Sequence, residues 1–193
     1  MKHATSRMLF SYWDSLRDER SAPERGEVQP GAIRQILGDT IILEVGLDRR
    51  ANIRLAGTRC CALFGQELKG RSFASLWRTN TESEADDMIQ TVAQESAGIV
   101  AWTRGTTALG ATIDLELVLL PLCHGGKTVT RILGSLSPAS IPSWLGIHAI
   151  TSLATTSMRI IEPPRRQPAA GIRREVPPLE RRQQFVVHLG GRM

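Results

Sequence analysis

Cysteine and histidine are scarce in this chain, with three and four copies in 193 residues. Cys60 and Cys61 are adjacent, which is a poor geometry for a disulfide between them, so a reducing compartment fits the cysteine usage best. The histidines are scattered, and only Cys123 and His124 are neighbours, whereas a metal site needs closely grouped ligands. We therefore expect neither a disulfide framework nor a bound metal.

The motifs of several common enzyme classes are also missing. The sequence has no Gly-x-Ser-x-Gly elbow, no P-loop and no Gly-x-Gly-x-x-Gly after a predicted strand. Asp114 and Glu116 lie two apart on one predicted strand, but such carboxylates on an exposed sheet face are usually solvated or paired with arginine. Cys60 and Cys61 fall on the apolar face of a predicted short helix, where cysteine commonly packs as a small apolar residue. The sequence favours a protein that is not an enzyme, with a cysteine-dependent enzyme as an alternative.

Long apolar segments are missing as well. The stretch from Ile132 to Met158 contains no Asp, Glu, Lys or Arg, but Pro138, Pro142 and six serines interrupt it. A spanning helix needs about 20 mainly apolar residues, so we expect no membrane span. The apolar run at Met8 to Phe10 is too short for a signal peptide, and we therefore expect a cytoplasmic protein.

The net charge of +5 is concentrated near the carboxyl end, because residues 162–193 hold seven arginines and three glutamates. The Arg- and Pro-rich part, residues 162–178, cannot bury enough apolar surface to fold alone. Beyond it, Phe185–Leu189 forms a small apolar patch that either docks as an edge strand or stays disordered. A basic tail can contact nucleic acid but is more often simply solvated, so we do not expect nucleic-acid binding and keep a nucleic-acid-associated regulator as an alternative function.

The hydrophobic periodicity predicts an α+β domain with one antiparallel sheet. Apolar residues at helical spacing predict an N-terminal helix over 5–19, a long helix over 81–96 with a capping box at Thr81 and Glu84, and a C-terminal helix over 150–161. A short helix is expected to begin with Thr58 as N-cap and to end at Gly65. Alternating residues predict strands at 39–45, 51–56, 98–107, 111–122 and 127–136.

Four segments of the sequence resemble the PAS domain. They are Phe64-Gly65 followed by Leu68-x-Gly70, and Leu9-Phe10-Ser11-Tyr12-Trp13, Thr130-Arg131-Ile132-Leu133-Gly134 and Ser143-Trp144-Leu145-Gly146. The chain is most similar to the small single-domain PAS-like proteins that are common in alphaproteobacteria. The resemblance covers roughly residues 5–161 and implies a five-stranded antiparallel sheet with helices over one face. The implied organisation is an N-terminal helix and loop at 1–30, a PAS-like domain with a C-terminal helix at 31–161, and a basic linker and tail at 162–193.

The same resemblance implies a sensory or adaptor protein in signal transduction. A catalytic output domain would need far more chain, so we expect the output to be contact with an unidentified signalling protein. A ligand pocket between the sheet and the helices would be lined by seven residues: Phe64, Phe73, Trp77, Trp102, Leu117, Arg131 and Leu133. For Arg131, an ion pair with Glu116 or Asp114 is the alternative to a ligand anchor, and for the two tryptophans the alternative is ordinary core packing.

Haem and flavin are not expected from the resemblance. Haem-binding PAS domains use a histidine on the long helix, and residues 81–96 contain none. Flavin-binding ones use a cysteine in an Asn-Cys-Arg motif, whereas Cys60 and Cys61 lie in Thr-Arg-Cys-Cys-Ala-Leu. An unidentified organic ligand remains open.

The N-terminal helix has two interpretations, packing on its own domain or forming a dimer, as helices flanking PAS cores often do. Tyr12 and Trp13 add a large apolar area beside Leu9 and Leu16, and on that ground we expect a homodimer through these four residues. On this interpretation, changing Leu9 and Trp13 to Glu gives a folded monomer.

Phe64 is expected to be buried where the short helix meets the sheet. Phe64→Ala should therefore reduce the free energy of unfolding by about 3–5 kcal/mol in denaturant titrations, the usual range for truncating a buried aromatic residue. A loss below about 1 kcal/mol would show that Phe64 is not part of the core.

Overall fold

The computed structural model describes residues 1–125 and 129–161. Within these residues there are three α-helices, α1 (Ala4–Arg17), α2 (Thr58–Phe64) and α3 (Glu82–Glu95). The same part of the chain forms six strands, namely β1 (Thr40–Val45), β2 (Ala51–Ala56), β3 (Gly98–Thr107), β4 (Thr112–Cys123), β5 (Val129–Pro138) and β6 (Ile150–Ile161). They form one antiparallel sheet in the order β2-β1-β5-β4-β3-β6. The α+β class with an antiparallel sheet is confirmed.

The predicted C-terminal helix at 150–161 is wrong, because this segment is β6 and pairs with β3 along its length. The sheet therefore has a sixth strand. Two irregularities explain the error: the register shifts near Thr151 and again near Thr156, each adding one residue opposite β3. The first places Ile150 and Leu153, three residues apart, in the same core, and the sequence then imitates helical spacing. The β-branched residues of this segment favour a strand.

The short helix α2 is built as expected at its end but not at its start. Gly65 ends it in the left-handed conformation, with φ of 62°. The N-cap is Gly57 rather than Thr58, which is the first helical residue. A side chain at position 57 would overlap the carbonyl oxygens of Leu37 and Gly38, so glycine is needed for this close approach.

The long helix α3 buries Ala85, Met88, Ile89 and Val92, as the periodicity predicts. Its predicted capping box is wrong, because the Thr81 side chain makes no cap hydrogen bond. The Glu84 carboxylate instead accepts a hydrogen bond of 3.2 Å from the backbone N–H of Thr155. Glu84 thus ties the start of α3 to β6.

Both faces of the sheet are covered, which differs from the expected single helical layer. On one face, α2 and α3 enclose a helix-side core that includes Phe64, Phe73 and Met88. On the other face, α1 and residues 22–37 enclose an N-terminal core that includes Leu9, Trp13 and Leu133. The sheet therefore lies between two separate apolar layers.

Helix α1 packs on its own domain. Leu9 and Trp13 are completely buried, and the Trp13 indole Nε1 donates a 2.7 Å hydrogen bond to the carbonyl oxygen of Pro121 on β4. Tyr12 and Leu16 are half-buried. Leu9 and Trp13 are therefore not available to a partner subunit, and the homodimer itself stays a prediction.

No helix within the described residues is both long and apolar enough to cross a membrane. Residues 162–193, with the expected linker and the Phe185–Leu189 patch, lie outside the described part of the chain. The same holds for Gly126 and Lys127 of the turn between β4 and β5.

The burial of Trp13 gives a direct test of where α1 packs. Trp13→Ala should lower the free energy of unfolding by about 3–5 kcal/mol, since a large cavity and an unpaired carbonyl remain. Met8 lies on the exposed side of the same helix, and Met8→Ala should change stability by no more than about 0.5 kcal/mol.

The double change of Leu9 and Trp13 to Glu should now give an unfolded chain rather than a folded monomer. Far-ultraviolet circular dichroism with urea titration measures all three variants. A folded double variant would contradict the packing of α1 on the sheet.

Candidate functional site

A pocket of about 440 Å³ opens at one end of the sheet. Three elements meet there: the first residues of the chain leading into α1, helix α2, and the segment that joins β5 to β6. Most of the lining is apolar and the rest is a small polar group; the lining residues are His3, Asp39, Arg59, Ala62, Leu63, Pro138, Ala139, Ser140, Ile141, Leu145 and Gly146. This combination of an apolar wall and few polar groups is typical of small-molecule sites.

The polar group is an ion pair between Asp39 and Arg59. Arg59 donates from Nε to Oδ1 of Asp39 at 2.7 Å and from Nη2 to Oδ2 at 2.8 Å, which is the two-pronged geometry of a strong carboxylate–guanidinium pair. The Asp39 hydrogen bond raises the pKa of the Arg59 guanidinium, which therefore keeps its charge. The Asp39 side chain is 9% exposed and that of Arg59 is 58% exposed, so Arg59 faces the solvent side of the pair.

Local backbone structure positions this pair. Asp39 ends a short 3-10 turn (Leu37–Asp39) that leads into β1, and Arg59 is the second residue of α2. Arg59 lies across Gly38, where a Cβ atom would be only 2.9 Å from the guanidinium carbon. Because Gly57 also allows α2 to approach this turn closely, the two glycines together set the depth at which Arg59 lies.

The first turn of α1 is tied to the pocket and to the sheet. The Thr5 hydroxyl donates to Oδ2 of Asp39 at 3.3 Å. The carboxylate of Glu116 on β4 accepts hydrogen bonds from the backbone N–H groups of Lys2 at 2.6 Å and His3 at 3.1 Å. A carboxylate at a helix N-terminus also interacts favourably with the helix dipole. The first residues of α1 are therefore hydrogen-bonded both to the pocket wall and to the sheet.

Glu116 is fully buried, contrary to the exposed face expected for it and Asp114. Burial raises the pKa of its carboxyl, but the interactions with Lys2, Ser6 and His3 and with the N-terminal charge together outweigh burial and hold the pKa below its ordinary value. The carboxylate is therefore ionised at neutral pH. Asp114 is exposed and pairs with Arg104 on β3, with Nε and Oδ1 2.8 Å apart.

The segment between β5 and β6 forms the outer wall. Trp144 and Leu145 pack against the helix-side core, which fixes its middle part. Ile141 and Ile147 are exposed. This segment thus presents apolar side chains at the mouth of the pocket.

The seven residues predicted to bind a ligand do not come together. Phe64, Phe73, Trp77 and Leu117 lie in the helix-side core. Leu133 lies in the N-terminal core, and Trp102 and Arg131 are on the same face of the sheet by strand alternation. Since the sheet separates the two groups, no single site can include all seven, and none of them lines the pocket of about 440 Å³.

Two of these seven residues, Arg131 and Trp77, make defined polar contacts elsewhere in the fold. Arg131 pairs with Glu44 on β1, with Nη2 and Oε1 2.7 Å apart, rather than with Glu116 or Asp114. Trp77 is buried and donates from Nε1 to the Thr155 hydroxyl at 3.0 Å. Both contacts are within the protein's own fold.

Sequence reasoning missed the pocket residues. Asp39 and Arg59 are twenty positions apart and are ordinary charged residues next to a strand and on the outer side of a short helix. The one local signal that could have found them is a pair of glycines, Gly38 directly before Asp39 and Gly57 directly before α2.

No cysteine of the described residues lines this pocket. Cys60 is completely buried in the helix-side core, and burial raises the pKa of its thiol to about 12. Because a nucleophilic cysteine needs a lowered thiol pKa, Cys60 is unsuited to that role. Within residues 1–125 and 129–161, no group of three or more His, Cys, Asp or Glu side chains is arranged to hold a metal ion.

A model of the PAS domain family matches residues 1–137. No curated protein matches the chain. Among solved structures, the chain is similar to one described as "Flavin Analogue Sheds Light on Light-Oxygen-Voltage Domain Mechanism", at 18% identity over 57% of this chain and 83% of that one, with a TM-score of 0.47. It is also similar to a light-oxygen-voltage (LOV) protein of Rhodobacter sphaeroides, at 16% identity over 57% and 66% of the two chains, with a TM-score of 0.46.

The expectation that flavin is an improbable cofactor is wrong. Both of the solved structures named above are of light-oxygen-voltage proteins, and one of them is described with a flavin analogue. The narrower resemblance to alphaproteobacterial proteins stays a prediction.

The burial of Cys60 predicts a selective alkylation pattern. With iodoacetamide at neutral pH, the folded protein should be modified at the half-buried Cys61 and remain unmodified at Cys60, because a thiol with a pKa of about 12 is protonated and enclosed. Peptide mass spectrometry locates the label, and the same reaction in urea is the control in which both residues react. Rapid labelling of Cys60 in the folded protein would contradict its position in the core.

Proposed function

Because the chain belongs to the PAS domain family, whose fold serves sensory signalling, we propose that it senses a small organic molecule bound beside the Asp39–Arg59 pair. The observation that supports this proposal is the pocket itself, which combines an apolar wall with one fixed polar group. Its volume of about 440 Å³ lies within the range of about 300–1,000 Å³ that is usual for ligand pockets.

The lining favours a ligand with an apolar body and one hydrogen-bond acceptor. Leu63, Pro138, Ile141 and Leu145 provide apolar surface. Arg59 uses Nε and Nη2 within the protein, and no described residue accepts a hydrogen bond from its Nη1. Since Asp39 already neutralises the guanidinium charge, a neutral carbonyl suits the pocket better than a second anion.

Binding would be transmitted through the elements that form the pocket wall. A ligand that contacts His3, α2 and the segment between β5 and β6 together favours the arrangement in which these three are seated against one another. The hydrogen bonds from Thr5 to Asp39 and from the first amides to Glu116 carry that preference into α1. A signalling protein that contacts α1 or the exposed Ile141 and Ile147 would then bind the ligand-bound and ligand-free forms with different affinity.

Native mass spectrometry of the full chain, purified without added ligand, tests the proposal. We expect a bound species of small-molecule mass, and its absorbance spectrum would show whether it is a flavin. Ala62→Trp places a large ring at an exposed helix position that lines the pocket, and this variant should lose the bound species while remaining folded.

The matched control is Ser83→Trp, an equally exposed position on α3 outside the pocket. It should retain the bound species. Ligand retained by Ala62→Trp would place the molecule elsewhere, and the absence of binding by purified protein across a fragment and flavin screen would contradict the sensor function.

A further inference from the structure

The two edge strands of the sheet, β2 and β6, differ in how their outer backbone groups are hydrogen-bonded. At the β2 edge, the backbone of residues 70–73 covers the strand: the N–H of Phe73 donates to Ala51 at 2.8 Å, that of Ile53 donates to Arg71 at 2.8 Å, and that of Gly70 donates to Ile53 at 2.6 Å. The part of this edge from Ala51 to Ile53 therefore has its outer backbone groups paired.

The first half of the β6 edge is also covered. The N–H of Arg78 donates to the carbonyl oxygen of Leu153 at 3.1 Å. Thr155 donates its N–H to Glu84, and its hydroxyl accepts from Trp77. Beyond Thr155, no residue among 1–125 and 129–161 bonds to the outer backbone edge of residues 156–161.

The open half carries apolar side chains. Met158 is 51% exposed and Ile160 is 47% exposed. They lie opposite Ala101 and Ile99 of β3, which belong to the helix-side core, so they extend that apolar face to the sheet edge. An exposed strand edge with apolar side chains favours pairing with another strand.

The chain itself contains a segment whose sequence suits this edge. Residues 162–184 follow directly from the end of β6 and lead to Phe185-Val186-Val187-His188-Leu189, in which Phe185, Val187 and Leu189 alternate. We propose that Phe185–Leu189 docks as a seventh strand on the outer edge of residues 156–161, with its alternating apolar side chains beside Met158 and Ile160.

The length of the connection permits this pairing. A connection of 23 residues can reach at most about 80 Å, whereas a neighbouring strand lies about 4.8 Å away. Because the segment is attached to the same chain, its pairing with this edge is intramolecular and does not depend on the protein concentration, whereas pairing with a second copy does. The chain's own segment is therefore the favoured occupant, and it would block pairing with foreign strands.

Hydrogen exchange of the full chain tests the docking. The amides of residues 156–161 that do not bond to β3 should be protected in the unchanged protein. Phe185→Asp with Val187→Asp should accelerate their exchange at least tenfold, because charges cannot cover the apolar edge. Gln183→Asp with Gln184→Asp adds the same charge just outside the segment and should leave the exchange unchanged.

The amides of Val118 to Leu120 in β4 are the internal reference for a folded domain and should exchange equally slowly in all three proteins. Equal protection of residues 156–161 in the unchanged protein and the Phe185/Val187 variant would overturn the proposal. Protection that disappears on dilution, with a dimer seen by light scattering, would assign the edge to a second copy and would equally overturn it.

Discussion

Strand β4 lies in the middle of the sheet, and every residue from Leu115 to Cys123 is buried. Such a strand needs an apolar layer on each face, which α2 and α3 supply on one side and α1 on the other. Glu116 is a charge placed within this buried stretch, and ionised carboxylates are costly to bury without hydrogen bonds. The amides of Lys2 and His3 satisfy it, so α1 is fixed both by apolar burial and by a buried carboxylate.

The candidate site follows from that arrangement. Because α1 must begin above Glu116, its first residues lie at the end of the sheet where β1 starts and β5 ends, beside α2. Asp39 receives hydrogen bonds from Thr5 on α1 and from Arg59 on α2, and it therefore joins elements from the two faces. A ligand bound at this point contacts both layers, which is the physical basis for linking occupancy to the position of α1.

Much of the fold could be predicted from the sequence, and the failures have physical causes. The alternation of polar and apolar residues located β1 to β5, and apolar residues at helical spacing located α1 and α3. In β6, the extra residue at Thr151 shifts the pleat and places Ile150 and Leu153 on one face, so the pattern imitates a helix. The two-sided burial of β4 was hidden because Leu115, Leu117 and Leu119 already form a complete alternating face. The ion pair at the site depends on the tertiary approach of residues twenty positions apart, and only the glycines at 38 and 57 mark that approach in the local sequence.

The position of a bound molecule decides whether the pocket beside the Asp39–Arg59 pair is a ligand site, and a crystal structure of protein purified without added ligand would show that position. We expect electron density for a small molecule between Leu63 and Ile141, within reach of Arg59. The side chain of Trp13 should be buried between α1 and the sheet, and the Glu116 carboxylate should accept hydrogen bonds from the amides of residues 2 and 3. A molecule bound instead between α3 and the sheet, or a pocket closed by its own side chains, would contradict the central claim.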